Sequence, residues 1–191
     1  MKNIVIIGGT KGIGKAIVAS LVTNNNITCL SRNKSEFSHD NYSHIKYNSL
    51  EDDLPEIEFV DCLIYCPGSI NLKPITNLSI DDFRNDFEIN VIGAVKCIKK
   101  YLPQLKNGVN PSILLFSTVA TKLGMPYHAS VSVAKSGIDG LVKTLGAELS
   151  PKIRINAIAP TITDTELASK ILRNEKVKST DEFLVKKKDP L

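Results

Sequence analysis

Three glycines, at positions 8, 12 and 14, stand between an apolar run and a helical pattern in Val5-Ile6-Ile7-Gly8-Gly9-Thr10-Lys11-Gly12-Ile13-Gly14-Lys15-Ala16-Ile17. Their G-x-x-x-G-x-G spacing suits phosphate chemistry. Gly8 lets the chain turn sharply off a strand, Gly12 lets backbone come close to a pyrophosphate, and Gly14 lets the helix pack against the sheet. The first turn of that helix offers N–H groups with no intrahelical partner and the positive end of its dipole. A strand before and a helix after are the context that such a loop requires. Gly8, Thr10, Lys11, Gly12, Ile13 and Gly14 are therefore expected to hold the phosphates of a nucleotide.

A phosphate loop of this kind needs a sheet behind it, and strand and helix patterns alternate along the chain. Asn3–Ile7 is an unbroken apolar strand, as expected where both faces are covered. Gly12 to about Thr23 has helical spacing and ends at Asn24-Asn25-Asn26. Strands are expected at Ile27–Leu30, Ile45–Tyr47, Val60–Tyr65, Ser112–Phe116 and Ile153–Ile158. Long helices are expected from Ser79, an N-cap supported by Asp82, to Leu105, and from Ala129 to Leu149. Asp164 to Lys188 reads as helix with polar interruptions. The order implies an α/β fold: a three-layer, doubly wound parallel sheet of Rossmann-like type. Residues 1–191 read as a single domain, with no internal repeat or low-complexity linker.

Composition narrows the function. Hydrophobic residues make up 42% of the 191-residue chain, enough for a core. There is no Trp and aromatics are only 6%, which argues against a stacking platform for single-stranded nucleic acid. The formal net charge is +4. Much of the excess lies in Lys176, Lys178 and Lys186-Lys187-Lys188, and reads as solvated surface. Cys29, Cys62, Cys66 and Cys97 match no zinc or thioredoxin-like spacing, so no metal site is expected and the thiols read as reduced and mostly buried. No apolar stretch approaches the ~20 residues of a membrane span. A soluble cytoplasmic protein with no nucleic-acid or membrane partner is expected.

With this glycine spacing the sequence resembles the short-chain dehydrogenase/reductase family. Further motifs carry the resemblance in order over residues 3 to about 170. Asp61-Cys62-Leu63-Ile64-Tyr65-Cys66-Pro67-Gly68 stands where the family usually has an Asn-Asn-Ala-Gly stretch. Asn90-Val91-Ile92-Gly93 looks like the catalytic-asparagine segment and Phe116-Ser117-Thr118 like the serine-bearing strand end. Ala134-Lys135-Ser136-Gly137 looks like the lysine end of the tyrosine–lysine motif, and Arg154 to Pro160 like the strand before the Pro-Gly motif. The resemblance implies hydride transfer between a nicotinamide and a small carbonyl or alcohol substrate, with Asn90, Thr118 and Lys135 in catalytic positions. It also implies that Gly68, Asn90, Lys135, Pro160, Ile162 and Thr165 join the cofactor site. Subunits of the family pair through their two long helices, so a homodimer or homotetramer is expected.

The second strand ends in Ser31-Arg32-Asn33, with no acid to accept from a ribose 2′-hydroxyl. Arg32, with Lys11 in the glycine loop, can instead pair with a 2′-phosphate. NADP(H) is expected over NAD(H). Asn48 stands where an Asp often meets the adenine, and its amide can still hydrogen-bond there.

One residue is missing. The family's general acid/base is a Tyr four residues before the Lys, because only i, i+4 spacing puts both on one helix face. Here that position is Val131, which can neither donate nor accept a proton. Such help is typically worth ~10²–10⁴-fold in rate. Impaired catalysis is expected, with binding largely kept. Tyr127 and His128 are candidate substitutes, and a catalytically inactive cofactor-binding sensor or partner subunit is the competing reading. Replacement of Asn-Asn by Tyr65-Cys66 is expected to remove polar groups that brace the central sheet. The resemblance also implies a further helix and a final strand beyond Leu191, so the fold is expected to be short of both: the chain is a truncated form, or its tail folds differently.

Overall fold

A computed structural model describes residues 1–49 and 51–172. Six parallel strands form one sheet: β1 (Asn3–Ile7), β2 (Asn26–Ser31), β3 (Tyr42–Lys46), β4 (Cys62–Tyr65), β5 (Ser112–Phe116) and β6 (Arg154–Ile158), in the order β3-β2-β1-β4-β5-β6. The order reverses between β1 and β4. Ligands of open α/β sheets bind outside the carboxyl ends of strands at such a switch point. Here Ile7 is paired with both Leu30 and Tyr65. Directly after it, Gly8 N–H donates to Leu30 O at 2.7 Å and Cys66 N–H donates to Ile7 O at 3.0 Å.

Apolar side chains leave β1 alternately to the two faces. Ile4 and Ile6 pack with Val18 of the first helix, α1 (Gly12–Leu21), and with Val22 directly after it. Val5 and Ile7 face the other layer with Cys97, Tyr101 and Ile138. That layer is built from α2 (Ile80–Phe87), α3 (Gly93–Asn107) and α5 (Ala129–Leu149). A one-turn helix, α4 (Ala120–Leu123), precedes α5, and α6 (Glu166–Leu172) closes the described chain.

The expected elements are present, with informative differences. The third strand runs over Tyr42–Lys46, starting earlier than its two apolar residues suggested. It is an edge strand, so its pattern is diluted by Ser43 and His44. The helix expected to run unbroken from Ser79 to Leu105 is divided. Ser79 does cap it: Asp82 N–H donates to the Ser79 hydroxyl at 3.1 Å, and Ser79 N–H donates back to Asp82 Oδ2 at 2.9 Å. A π-helical turn over Glu88–Ile92 then separates α2 from α3. Such turns insert one extra residue and are frequent at functional sites. The helix expected from Asp164 to Lys188 begins at Glu166. Positions from 173 on, including Lys176, Lys178 and Lys186–Lys188, lie outside the described residues. Among the described residues no helix is long and apolar enough to cross a membrane, and no cluster of His, Cys, Asp and Glu is placed to hold a metal ion.

Candidate active site

The glycine loop lies at the sheet's switch point. Gly8 has φ +78° and Gly12 φ +50°, conformations that L side chains seldom adopt. A β-carbon on Gly14 would run into the Gly8 carbonyl, so the first turn of α1 can lie against the loop only because residue 14 has none. Lys11 is the N-cap of α1, and no side chain caps it. The helix amides therefore remain available to an anion.

Two adjoining cavities open from this point. A cleft of about 480 Å³ is lined by Gly8, Thr10, Lys11, Gly12, Ile13, Gly14, Arg32, Asn48 and Thr165. Arg32 stands exposed at its rim. Lys11 is not aimed at the cleft alone, because its Nζ lies 2.6 Å from Glu166 Oε2 at the start of α6. A second cavity, of about 270 Å³, has Lys135, Thr118, Val131, His128, Pro160 and Ile162 in its wall. Ile13, Cys66, Gly68 and Thr165 line both. The structure thus gathers every expected cofactor-binding residue except Asn90 onto these two walls.

Asn90 sits one layer behind. It is 1% exposed, in the π-helical turn, and its Nδ2 donates to Ser69 Oγ at 2.9 Å and to Asp86 O at 2.8 Å. Its Oδ1 is buried with no partner among the described residues. A β-carbon on Gly68 would come within 3.3 Å of that oxygen and 3.6 Å of Lys135 Nζ. Residue 68 is therefore a bare backbone step between two polar groups, leaving open a space that a side chain would fill.

Lys135 and Val131 lie one turn apart on α5 and face the same cavity. Lys135 Nζ donates to Phe116 O at 2.8 Å. Burial pushes its ammonium down from 10.5 to about 8, opposed by the nearby Cys66 and Asp86. Desolvation disfavours the charged form, and here it outweighs the partners. Cys66 is pushed the other way, up to about 12, again by burial, which makes it a poor nucleophile.

The two candidates for the role expected of a Tyr at position 131 separate. Tyr127 precedes α5 with φ +66° and is not in the cavity wall, so it does not form the extra helical turn that would align it with Lys135. His128 is in the wall, its Nδ1 2.7 Å from Pro126 O. Thr118 is also in the wall, although its hydroxyl accepts from Ala120 N–H at 3.3 Å.

Tyr65 does not leave the sheet unbraced. Its hydroxyl donates to Ile89 O at 2.6 Å, a carbonyl of the π-helical turn, so a polar tie from strand to helix is kept in another form. Sequence reasoning also missed a polar group behind the cavity, in which Asp86 accepts from Ser69 and Asn71. A signal was available: Asp86 lies four residues before Asn90 and hence on the same inward helix face.

A family model described as enoyl-(acyl carrier protein) reductase matches residues 49–186. The chain belongs to the short-chain dehydrogenase/reductase family. It is 26% identical over 190 residues to a 3alpha-hydroxysteroid dehydrogenase of Mediterraneibacter gnavus, covering 88% of this chain and 76% of that protein. Among solved structures, ElxO with NADP bound superposes with a TM-score of 0.79 at 26% identity, covering 92% of this chain and 80% of that one. The ligand-free aldohexose dehydrogenase of Thermoplasma acidophilum gives a TM-score of 0.83 at 22% identity, covering 94% and 76%, and shares the fold. The family's fold binds a nicotinamide cofactor, and its oxidoreductases act on small molecules.

Proposed function

We propose that this short-chain dehydrogenase/reductase binds NADP(H) and interconverts a small, uncharged carbonyl and alcohol, with turnover held low by Val131. The observation that carries the reading is the wall shared by Lys135 and Val131: the buried ammonium is present, and the position one turn before it bears only methyl groups. When bound, the cofactor supplies or accepts hydride. The glycine loop and Arg32 would hold its phosphates, Lys135 and Gly68 its nicotinamide ribose. Arg32 and Lys11, with no acid at the end of β2, favour the 2′-phosphate form.

The substrate class follows from the wall of the smaller cavity. Ile70, Leu72, Phe116, Leu123, Met125 and Leu167 contribute to it and, among the described residues, no carboxylate or arginine does. Such a surface favours an apolar molecule with one oxygen to reduce. Pairing of subunits through α2–α3 and α5 in a homodimer or homotetramer, and a cytoplasmic site of action, belong to the same proposal.

The test is to titrate the purified chain with NADPH and NADH by cofactor fluorescence, then follow NADPH oxidation against cyclic and linear ketones. Tighter binding of NADPH with slow but measurable oxidation is expected. Equal affinity for the two cofactors overturns the NADP assignment. Turnover as fast as a Tyr-bearing enzyme overturns the role given to Val131. Binding with no turnover for any ketone or alcohol favours the sensor or partner-subunit reading.

A further inference from the structure

Asp86 is an acid in a costly position. It lies in the last turn of α2 and is 0% exposed. Its Oδ1 accepts from Ser69 Oγ at 2.5 Å and from Asn71 Nδ2 at 3.1 Å, and its Oδ2 has no partner among the described residues. Withdrawing a carboxylate from water is expensive unless all its lone pairs are satisfied. An amide that kept the two hydrogen bonds would hold the 68–71 loop without a buried charge.

The acid is joined to the cavity through one atom. Ser69 lines the wall together with Lys135 and Thr118. Its hydroxyl donates to Asp86 and accepts from Asn90 Nδ2. A serine oxygen has two acceptor lone pairs, so one remains for a hydroxyl in the cavity. Titratable groups around Asp86 include Lys135 on α5, whose ammonium feels the Asp86 charge, and Cys66 beside that lysine; one turn earlier on α2 stands Asp82, paired with Lys73 at 2.9 Å.

We propose that Ser69 and Asp86 form a proton relay that does the work for which position 131 has no group. In the oxidising direction the substrate O–H bond breaks as its proton passes to Ser69 Oγ. The proton already on Ser69 moves to Asp86 Oδ1. The carbinol C–H bond breaks with its electron pair, and the hydride is taken by an oxidised nicotinamide dinucleotide, the co-reactant. A carbonyl is left, and one proton remains on Asp86 for release. Carbonyl reduction runs the same transfers backwards. Ser69 is the residue that meets the substrate oxygen, and Asp86 is a positioning residue that acts through it. The relay rests on the reading of the chain as an oxidoreductase.

The experiment compares the full chain with Asp86→Asn and Ser69→Ala. The amide of Asp86→Asn can still accept from Ser69 and Asn71 while losing the basic oxygen. Oxidation of cyclohexanol and 2-octanol with NADP⁺ is followed across pH, alongside NADPH affinity. Asp86→Asn is expected to lower kcat about tenfold or more and to flatten the limb on which the rate rises with pH. NADPH affinity should stay within about twofold. Ser69→Ala should give a similar loss, and the double variant little more, because the two act as a unit. Infrared difference spectra supply a readout without cofactor: cyclohexanol should shift a carboxylate band in the native chain that is missing in Asp86→Asn. A native pH profile retained in both variants, or no shifted band, overturns the relay and leaves the oxidoreductase reading standing. A native chain that binds NADPH but oxidises neither alcohol overturns the relay together with the turnover part of that reading. Should Asp86→Asn fail to fold, Ser69→Ala decides alone.

Discussion

The Tyr65 hydroxyl fills the space that a β-carbon on residue 93 would need. A methyl there would meet that hydroxyl and lie 3.1 Å from Tyr65 Cζ. The tyrosine is 2% exposed at the end of β4, and its hydroxyl bonds Ile89 O across the π-helical turn. A glycine on the helix thus admits an aromatic ring from the strand. Gly93→Ala should destabilise the protein by about 1–3 kcal/mol through overpacking. Tyr65→Phe should cost about 1 kcal/mol for its lost hydrogen bond. Combined, the two should cost less than their sum, because the phenyl ring no longer carries the clashing atom. Urea unfolding of the three variants measures this, and strict additivity would contradict the packing described.

Lys135 predicts a pH dependence of stability. Its folded value, about 8, lies below the 10.5 of a free lysine. Between these values the unfolded chain binds more protons than the folded one, so this group's contribution to stability rises with pH through that window. The gain across it is at most about 3 kcal/mol. Below pH 8 the folded protein carries a buried ammonium and the gain is absent. Lys135→Met should remove this pH-dependent component from melting curves taken between pH 7.5 and 10.5. NADPH affinity of the native chain should fall as pH rises through about 8, and should be weaker and flatter in Lys135→Met. A native affinity constant over that range would argue against contact between Lys135 and the cofactor.

Lys11 and Glu166, both in the wall of the 480 Å³ cleft, tie the glycine loop to α6. Both side chains are largely exposed, so solvent screens the pair and it contributes little to stability. Its effect should be on binding. Hydrogen bonding to Lys11 holds the Glu166 carboxyl below its ordinary value, so at neutral pH the glutamate competes for Lys11 with any phosphate. Glu166→Gln should tighten NADPH a few-fold and steepen its salt dependence. Arg32→Asp should weaken NADPH by tenfold or more and affect NADH far less. Unchanged NADPH affinity in Arg32→Asp would remove the basis for the 2′-phosphate assignment.

The parts of this molecule that were legible in the sequence are those that obey a local rule. The glycine loop could be read because positive φ at Gly8 and Gly12, and the close approach at Gly14, each exclude other residues. The capping box at Ser79 and Asp82 could be read because both partners lie within one turn. The Lys135–Val131 pair could be read because i, i+4 spacing fixes a shared face. The unread parts depend on contacts distant in sequence. Ser69 meets Asp86 across 17 residues, and Lys11 meets Glu166 across 155. No periodicity announces such pairs. The π-helical turn escaped for a related reason: the hydroxyl bonded to its Ile89 carbonyl comes from Tyr65 of β4, 24 residues earlier.

Val131→Tyr tests the site most directly. Val131 is 6% exposed and sits in the wall of the 270 Å³ cavity with His128, Met125 and Leu123. A phenol at 131 would stand one turn from Lys135, whose ammonium would favour the phenolate. Its ring would enter the cavity with little backbone change, so the variant should fold. Turnover should rise by about 10²–10⁴-fold, while Val131→Phe, equal in bulk but without the hydroxyl, should give no gain. The same variant bears on Asp86. Once a phenol carries the proton, the buried acid becomes redundant, and Asp86→Asn should slow Val131→Tyr much less than it slows the native chain. If Asp86→Asn slowed both equally, Asp86 would be holding the loop at Ser69 and Asn71 and moving no proton. If Val131→Tyr gained nothing while binding NADPH normally, the missing phenol would not be what limits this enzyme.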